Sequence, residues 1–497
     1  MTIPSIGHWI GGKRTEGVPG RTGLVHNPAT GQESAHVLLA SAAELDSAVQ
    51  VAADAFTSWR DVSLARRAEI MFRFRELLVA HRGDVAAAIT AEHGKVLSDA
   101  AGEVQRGIEN VEFACGAPHL LKGGMSEQVA TGVDVHSVRQ PLGVVAGITP
   151  FNFPAMVPLW MFPNALVSGN AFVLKPSEKD PSASLLLAEL LAEAGLPDGV
   201  FNVVQGDKEV VDAILANPTV QAVSFVGSTP IARYIYETGT ASGKRVQALG
   251  GAKNHMLVLP DADLGMAADA AVSAAYGSAG ERCMAVSVVV AVGDVADDLV
   301  GAIVERAEDI RIGDGTDPDV EMGPLVTREH RDKVASYLPA AVADGATLAL
   351  DGRERTFDGD GFFLGASVID GVTPEMSCYT DEIFGPVLVV VRVDDYEQAM
   401  DVIRGCRYGN GTAIFTRDGG AARRFQNEVP VGMVGVNVPI PVPVAAFSFG
   451  GWGDSLFGDS HMYGPEGLHF YTRSKVITTR WPDPSTSSVD LGFPQNR

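Results

Sequence analysis

Cysteine is scarce in this sequence of 497 residues, which contains only four. Cys115, Cys283, Cys378 and Cys406 show neither close pairing nor the short spacing of metal ligands. This excludes a disulfide framework, and no metal site is predicted. Three of the four are expected to be small core residues, and such free thiols are typical of a reducing compartment.

Basic residues and long apolar runs are also in short supply. Lys and Arg number 38 against 61 Asp and Glu, and the net charge of −23 argues against a nucleic-acid partner. The longest apolar stretch, 156–167, is broken by Pro158 and Pro163 and is too short to cross a bilayer, so no membrane partner is expected. Because no basic segment followed by a long apolar run stands at the N-terminus, a cytoplasmic location is predicted.

The first third of the chain reads as helical. Ser41 to Glu44 forms a capping-box pattern that opens an alanine-rich helix running toward Trp59. Apolar residues at helical spacing predict a second helix over 63–81. The total length exceeds what one hydrophobic core supports and predicts about two or three domains.

Strands and helices alternate from about Leu142 onward. Strands are predicted over 143–148, 171–174, 200–204 and 222–226, with a helix over 182–194. Wholly apolar strands that alternate with helices indicate an α/β fold with a parallel sheet covered on both faces. Polar residues follow these strands, at the edge where ligands bind in such sheets.

The region from about 255 to 447 repeats the alternation and contains Cys283, so a second α/β domain is predicted there. Residues 129–138 alternate apolar and polar side chains like the arm of a hairpin, and the tail at 476–479 predicts another strand. Two such arms suit edge pairing in an oligomer.

Three local patterns carry candidate chemistry. In GERCMA (280–285) a cation stands beside Cys283, as expected for a nucleophilic thiol whose pKa is lowered. The glycine turn at 227–232 would suit a pyrophosphate at a helix start, although a structural turn explains it equally well. Lys175 and Glu178 follow a strand and are either surface charges or the residues that hold the hydroxyls of an adenosine ribose.

Taken together, the motifs resemble the aldehyde dehydrogenase superfamily from about residue 10 to 471. They are TPFNFP (149–154), KPSE (175–178), FVGS (225–228), LGG (249–251), Cys283 and DEIFGP (381–386), in the order and spacing of that superfamily. Within them, GGAKNH (250–255), GERCMA (280–285) and GVNVPIPVP (435–443) resemble the methylmalonate-semialdehyde dehydrogenases, its CoA-acylating branch.

The resemblance implies an aldehyde dehydrogenase-like α/β fold with a parallel-sheet cofactor domain, a second α/β catalytic domain and a small β oligomerisation arm. It also implies a homotetramer. The implied divisions are an NAD-binding domain at 1–125 and 143–252, a catalytic domain at 253–445, an arm at 126–142 and 474–497, and a C-terminal segment at 446–473 that packs back between the domains.

The resemblance further implies roles for single residues. Cys283 would attack the aldehyde while the Asn152 side-chain amide and the Cys283 N–H stabilise the oxyanion. Arg106 and Arg282 would bind a substrate carboxylate, against the alternatives of a surface salt bridge for Arg106 and of pKa tuning alone for Arg282. Glu382 would hold the nicotinamide ribose and Phe384 would pack beside the ring. The implied NAD-binding set is Thr149, Phe151, Lys175, Glu178, Lys179, Ser228, Gly250, Glu382 and Phe384.

Ala248 departs from the hydrolytic members of the superfamily, which carry there the glutamate that activates water. Without this base, water attacks a thioester slowly, whereas the thiol of CoA forms a thiolate readily near neutral pH. The chain is therefore predicted to oxidise methylmalonate and malonate semialdehydes with NAD and CoA. Decarboxylation would give propanoyl-CoA and acetyl-CoA, in valine or myo-inositol catabolism.

Two alternatives stay open at this point. One is a hydrolytic NAD-dependent aldehyde dehydrogenase that releases a free carboxylic acid with some other base. The other is a non-catalytic NAD-binding or structural member of the fold, which an intact Cys283, Asn152 and Glu382 disfavour.

Overall fold

The computed structural model describes residues 3–18, 20–441, 444–481, 484–486, 489 and 491–492. The last two residues of the GVNVPIPVP motif, Val442 and Pro443, lie outside these ranges. So do residues 482–483, 487–488, 490 and 493–497 of the predicted C-terminal arm.

Helices dominate the first third and then alternate with strands. Within the described ranges they are α1 (Ala42–Trp59), α2 (Leu64–Ala80), α3 (Arg82–His93), α4 (Leu97–Cys115), α5 (Ala117–Leu120), α6 (Met156–Val167), α7 (Ser182–Glu193), α8 (Lys208–Ala216), α9 (Thr229–Ala241), α10 (Leu264–Tyr276), α11 (Ala296–Glu308), α12 (Arg328–Ala343), α13 (Ser377–Thr380), α14 (Tyr396–Arg404), α15 (Gly419–Glu428) and α16 (Gly464–Phe470).

The strands of the same ranges fall into five sheets. They are β1 (Ser5–Ile6), β2 (His8–Ile10), β3 (Lys13–Thr15), β4 (Thr22–Asn27), β5 (Gln32–Leu38), β6 (Met125–Ala130), β7 (Val133–Pro141), β8 (Val144–Ile148), β9 (Ala171–Lys175), β10 (Phe201–Val203), β11 (Val220–Val226), β12 (Arg245–Leu249), β13 (Asn254–Val258), β14 (Val286–Val292), β15 (Thr347–Leu350), β16 (Ser367–Asp370), β17 (Val387–Val393), β18 (Tyr408–Gly409), β19 (Gly411–Phe415), β20 (Met433–Val436), β21 (Trp452–Gly453), β22 (Leu456–Phe457) and β23 (Thr472–Arg480).

The capping box predicted for α1 is present. The Ser41 hydroxyl accepts a hydrogen bond from the Glu44 N–H, and the Glu44 carboxylate accepts one from the Ser41 N–H at 2.9 Å. This reciprocal bonding satisfies two amides that a helix start otherwise leaves unpaired. The helices predicted over 63–81 and 182–194 are also found, as α2 and α7.

An eight-stranded sheet forms the first α/β unit, with strand order β22-β12-β11-β8-β9-β10-β2-β3. The five strands from β12 to β10 are parallel, as the apolar runs predict. Since their carboxyl ends share one edge, Thr149, Lys175, Ser228 and Gly250 are brought to the same edge of the sheet.

A seven-stranded sheet forms the second unit, in the order β15-β16-β17-β14-β13-β19-β20. All neighbours are parallel except β15 and β16. The chain passes from the first sheet to the second through residues 250–253, between β12 and β13. It returns near its end, where β22 pairs antiparallel with β12.

The two predicted arms pair with each other. β23 runs antiparallel to β7 from Thr472 opposite Pro141 to Arg480 opposite Val133, and β6 pairs with the other side of β7. Apolar side chains on this sheet remain exposed, including Val476 at 65%. No helix in the described ranges is long and apolar enough to cross a membrane.

Candidate active site

Cys283 lies in the connection between α10 and β14 and is held through its backbone. Its carbonyl oxygen accepts hydrogen bonds from Nδ2 of Asn254 at 2.9 Å and Nδ2 of Asn410 at 3.0 Å. Asn254 begins β13, and Asn410 directly precedes β19. The seven-stranded sheet therefore fixes the cysteine from two neighbouring strands.

The turn before Cys283 requires glycine at position 280. Gly280 has a φ of +74°, and a Cβ there would lie 2.2 Å from the carbonyl oxygen of Gly385. Ser278 and Ala279 also have positive φ, at 53° and 51°. The tight winding brings the GERC segment into direct contact with the EIFGP segment, two motifs that the sequence separates by about a hundred residues.

A cavity of about 230 Å³ opens in front of Cys283. Seven of the residues that the sequence predicts for the site line it together: Phe151, Asn152, Ser228, Gly250, Cys283, Glu382 and Phe384. Six others do not line it: Thr149, Lys175, Glu178, Lys179, Arg106 and Arg282. A second cavity of about 20 Å³ is bordered by Arg282, Cys283 and Glu382, so these three residues also meet.

Glu382 is a partly buried carboxylic acid on the wall of both cavities. Its Oε1 accepts a hydrogen bond from the Ala252 N–H at 2.9 Å. A Cβ at Gly251 would lie 2.2 Å from Glu382 Oε2, so only glycine admits the carboxylate there. Burial raises the pKa of Glu382 to about 7, against the smaller lowering effects of the Ala252 amide, Lys253 and Arg407.

The thiol of Cys283 is not activated by its protein surroundings. Burial, with a smaller contribution from the nearby Glu382 carboxylate, raises the pKa of Cys283 to about 12. Arg282 lowers the pKa, as expected, but it is the weakest of the contributions. Its guanidinium pairs with Asp99 at 2.5 Å. The expected lowering of the Cys283 pKa by Arg282 is therefore present, but burial outweighs it.

Asn152 is 3% exposed, and its Oδ1 has no hydrogen-bond partner. Its backbone carbonyl accepts a hydrogen bond from Lys95 Nζ at 2.5 Å, and the same ammonium group bonds Glu103 Oε2 at 2.9 Å. Glu103 Oε1 in turn accepts the N–H groups of Ala155 and Met156 at 2.9 and 3.0 Å. A fully buried ion pair thus clamps the loop that carries Asn152.

The four predicted residues at the adenosine end lie together beside the sheet edge. Lys175 Nζ bonds Glu178 Oε2 at 3.1 Å, and the Thr149 N–H bonds the Lys175 carbonyl at 3.1 Å. Lys179 follows directly and is exposed. Burial raises the pKa of Glu178, but Lys175 and other neighbours outweigh it and leave the pKa below its ordinary value, so the carboxylate is charged at neutral pH.

The residues present fit a dinucleotide. The hydroxyl oxygen of Thr149 is buried without a hydrogen-bond partner, as a group that awaits a ligand would be. The thirteen-residue helix α9 begins at this edge, and its cap residue Ser228 makes no side-chain capping bond, so the first amides stay available. A Cβ at Gly250 would lie 2.6 Å from the Asp454 carbonyl oxygen, which shows how closely the backbone is packed behind this edge.

Both candidate carboxylate-binding arginines pair with acids of α4. Arg106 Nη2 lies 2.6 Å from Glu109 Oε1 and is 40% exposed, whereas Arg282 pairs with Asp99 and is 23% exposed. Arg106, Cys283 and Glu109 all act on the pKa of Tyr463, which burial raises first. The charges of Arg106 and of Cys283 therefore both affect the Tyr463 hydroxyl group.

His330 and Lys333 line the cavity, but the sequence offered no signal for them. His330 Nε2 donates a hydrogen bond to the Phe384 carbonyl at 2.6 Å. Phe384 has a φ of 59°, unusual for a residue with a side chain, and its ring meets Phe151 edge to face at 5.9 Å.

Tyr463, Asn254 and Asn410 were likewise assigned no role from the sequence. In the described ranges, no group of three His, Cys, Asp or Glu side chains is arranged to hold a metal ion.

Comparison with known proteins gives consistent results. The sequence model described as the aldehyde dehydrogenase family matches residues 16–477. The malonate-semialdehyde dehydrogenase of Pseudomonas aeruginosa is 57% identical over 479 residues, covering 96% of each chain. Malonate-semialdehyde dehydrogenase 2 of Geobacillus kaustophilus is 49% identical over 480 residues, covering 96% of this chain and 99% of its own.

Two solved structures superimpose on nearly the whole chain. The methylmalonate-semialdehyde dehydrogenase from Oceanimonas doudoroffii gives a TM-score of 0.95 at 56% identity, covering 97% of this chain and 99% of that one. A putative methylmalonate-semialdehyde dehydrogenase from Sinorhizobium meliloti, complexed with NAD, gives 0.96 at 50% identity and covers 98% and 100%.

Proposed function

Because the chain belongs to the aldehyde dehydrogenase family, we propose that it oxidises malonate semialdehyde and methylmalonate semialdehyde with NAD and CoA. The substrate carboxylate leaves, and the products are acetyl-CoA and propanoyl-CoA. The family and the α/β fold class predicted from the motifs are thereby confirmed.

The observation that carries the CoA step is Ala248. It lies fully buried in β12, opposite Phe225 of β11 and Phe457 of β22. A methyl group accepts no proton from water, so this position supplies no base for hydrolysis of a thioester on Cys283. A thiol ionises with a pKa of ~8.5 and is the better acceptor in such a site.

The chain's own residues account for the first half of the reaction. The Cys283 sulfur attacks the aldehyde carbon, and the Asn152 side-chain amide and the Cys283 N–H stabilise the negative oxygen. Each such donor contributes about 3–4 kcal/mol to lowering the barrier. NAD, held by the residues described above, supplies the hydride acceptor, and the oxidised acyl group remains on Cys283 as a thioester.

Arg106 and Arg282 are proposed to receive the substrate carboxylate. Each guanidinium carries five N–H donors, so a single ion pair with Glu109 or Asp99 leaves donors for a second carboxylate. A carboxylate β to the thioester carbonyl is lost readily, because the resulting carbanion delocalises into that carbonyl. Release of the arginine-bound carboxylate as carbon dioxide or bicarbonate then leaves a shorter acyl group on Cys283.

Glu178 supports NAD rather than NADP. Its charged carboxylate, paired with Lys175, is suited to the ribose hydroxyls of the adenosine and would repel a phosphate there.

A homotetramer is proposed from the exposed apolar sheet of β6, β7 and β23. Met125 and Val476 are both 65% exposed, and Trp481 just beyond β23 is 83% exposed. Apolar side chains in this number on a projecting sheet are the mark of a protein interface. A cytoplasmic location accords with the four free thiols.

The deciding experiment follows NADH formation from methylmalonate semialdehyde with and without CoA, and identifies the acyl product. We expect a burst of one NADH per active site without CoA, and sustained turnover to propanoyl-CoA with it. Sustained release of free acid without CoA would establish a hydrolytic enzyme instead. Absence of NADH under both conditions would leave only a binding or structural role.

A further inference from the structure

Alanine at position 248 cannot accept the proton of the CoA thiol, so another group in the cavity is needed to accept it. Among the described residues that line it, four side chains titrate: Cys283, His330, Lys333 and Glu382. His330 donates its Nε2–H to the Phe384 carbonyl and keeps a lone pair on Nδ1, but burial lowers the pKa of His330 and makes it a weaker base than Glu382, whose pKa is raised. A lysine ammonium has no lone pair to accept a proton. Glu382 is the one carboxylate in this lining set.

Glu382 and Cys283 are fixed by two ends of one three-residue segment. The Ala252 N–H holds the Glu382 carboxylate at 2.9 Å, and Asn254 Nδ2 holds the Cys283 carbonyl at the same distance. Between them, Lys253 Nζ bonds the carbonyl oxygens of Cys378 and Asp381 at 2.8 and 2.7 Å. The segment therefore ties the loop of the carboxylate to the loop of the nucleophile.

We propose that Glu382 carries a proton from the thiol of CoA to the sulfur of Cys283 during acyl transfer. This rests on the proposed function above, and it gives the carboxylate a second task after the nicotinamide ribose has left it. One Glu382 oxygen takes the proton as the S–H bond of CoA breaks and the new S–C bond forms. The bond between the acyl carbon and the Cys283 sulfur then breaks with its electron pair on sulfur, and Glu382 returns the proton there.

The acidities of the two groups suit this transfer. A thiolate that leaves from Cys283, whose pKa is raised to about 12, is a poor leaving group unless it is protonated. A carboxyl group with a pKa of about 7 accepts and returns a proton near neutral pH. The charged and titratable groups that act on Glu382 or feel its charge are Lys253, Arg407, Cys283 and Tyr408.

The test isolates the second half of the reaction. Cys283 is acylated with p-nitrophenyl propanoate in the absence of NAD, and transfer of the propanoyl group to CoA is followed against pH. In the native enzyme the rate should rise to a plateau with an inflection near pH 7. In Glu382→Gln the inflection should vanish, and the rate at pH 7 should fall about 10²-fold, the usual contribution of a general base. Above pH ~8.5 CoA forms its own thiolate, so the difference between the two rates should become smaller.

Asp381→Asn is the matched control, because Asp381 neighbours Glu382 in sequence but does not line the cavity. Its profile should match that of the native enzyme. A rate and profile in Glu382→Gln equal to those of the native enzyme overturn the proposal. A native acyl-enzyme that CoA consumes no faster than water does would instead overturn the proposed function.

Labelling of Cys283 with iodoacetamide gives a second readout that needs no catalysis. Because the Glu382 carboxylate raises the pKa of Cys283, Glu382→Gln should shift the labelling profile to lower pH. An unshifted profile would show that the two groups are too far apart for the transfer. If Glu382→Gln does not fold, Glu382→Asp is tested instead. This variant should transfer the propanoyl group more slowly but keep the inflection in its pH profile. Loss of the inflection in Glu382→Asp would contradict the proposal.

Discussion

Lys95 holds Asn152 by a hydrogen bond from its Nζ to the backbone carbonyl oxygen, across 57 positions of sequence. The ammonium group also pairs with Glu103 and lies 4.4 Å from the centre of the Phe153 ring. All of its surroundings are buried, so the contact is not weakened by water. The Asn152 side chain, proposed to stabilise the oxyanion, therefore takes its position from this buried pair.

The double variant Lys95→Met with Glu103→Gln should lower kcat about 10²-fold, the scale of a displacement of about 1 Å in a catalytic group. The paired change avoids leaving one charge buried alone, which by itself costs about 3–5 kcal/mol of stability. Stopped-flow measurement of the NADH burst should show the loss in its rate, with the KM for aldehyde nearly unchanged.

Lys244→Met is the matched control for this variant. Lys244 is also buried and bonds two backbone carbonyls, those of Asn217 and Val220, but it lies away from the cavity. It should lower the melting temperature and leave the burst rate intact. If the burst rate falls equally in Lys244→Met and in the double variant, the Lys95 pair contributes only to general stability and does not position Asn152.

The reactivity of Cys283 should depend on pH in an unusual way. Since its pKa is raised to about 12, alkylation by iodoacetamide without NAD should keep rising through pH 10, whereas an ordinary thiol levels off above pH ~8.5. Peptide mapping must report the site, because burial also raises the pKa of Cys115, Cys378 and Cys406.

Addition of NAD should accelerate this alkylation at pH 7.5. The positive nicotinamide favours the thiolate, to which Arg282 alone contributes only weakly. If the alkylation rate of the cofactor-free enzyme already levels off at pH 8, the pKa of Cys283 is not raised and the prediction is contradicted.

Arg106→Leu and Arg282→Leu should each impair turnover of methylmalonate semialdehyde far more than turnover of propanal. Propanal lacks the carboxylate that the two guanidinium groups are proposed to bind, so its turnover should fall much less. A charge-assisted hydrogen bond of this kind contributes about 1.5–3 kcal/mol, which corresponds to roughly a ten- to hundredfold change in kcat/KM.

Arg75→Leu provides the comparison for the arginine variants. Arg75 pairs with Glu112, which like Glu109 belongs to α4, but it does not border the site. It should affect neither substrate. Equal losses on both aldehydes for Arg106→Leu would remove Arg106 from substrate binding.

Glu178→Gln should lower the preference for NAD over NADP by at least about tenfold, because a neutral amide no longer repels the extra phosphate. The ratio of kcat/KM for the two cofactors measures it. Glu193→Gln, at the exposed end of α7, should leave the ratio alone. An unchanged ratio in Glu178→Gln would mean that this carboxylate does not meet the ribose.

Much of the fold could be predicted from local patterns. The capping box at Ser41 and the apolar periodicity after Ser63 led directly to α1 and α2, since both signals act within one or two helical turns. The extended strands in both arms were also anticipated, but their pairing with each other as β7 and β23 was not. Motif order then identified most of the residues that meet around Cys283.

What could not be predicted depends on contacts between distant segments. Asn254 and Asn410 reach the Cys283 carbonyl from 29 and 127 residues away. Asn254 belongs to the GGAKNH motif, but the motif does not show that its side chain holds Cys283, and no motif marks Asn410. The net pKa of the Cys283 thiol likewise could not be predicted from the sequence. The sequence placed Arg282 beside Cys283, but only the fold shows that Asp99 occupies its guanidinium and that burial outweighs its charge.

The passage of the chain between its two sheets at residues 250–253 has a consequence for biosynthesis. Asn152 follows β8 of one sheet, whereas Cys283 precedes β14 of the other. A growing chain that has completed the first sheet thus carries the oxyanion donor without a nucleophile. After Cys283 has been synthesised, its thiol comes to lie beside Asn152 only when both sheets have folded and packed against each other. An unfinished molecule therefore lacks the assembled site for oxidising an aldehyde, and this activity arrives together with the completed fold.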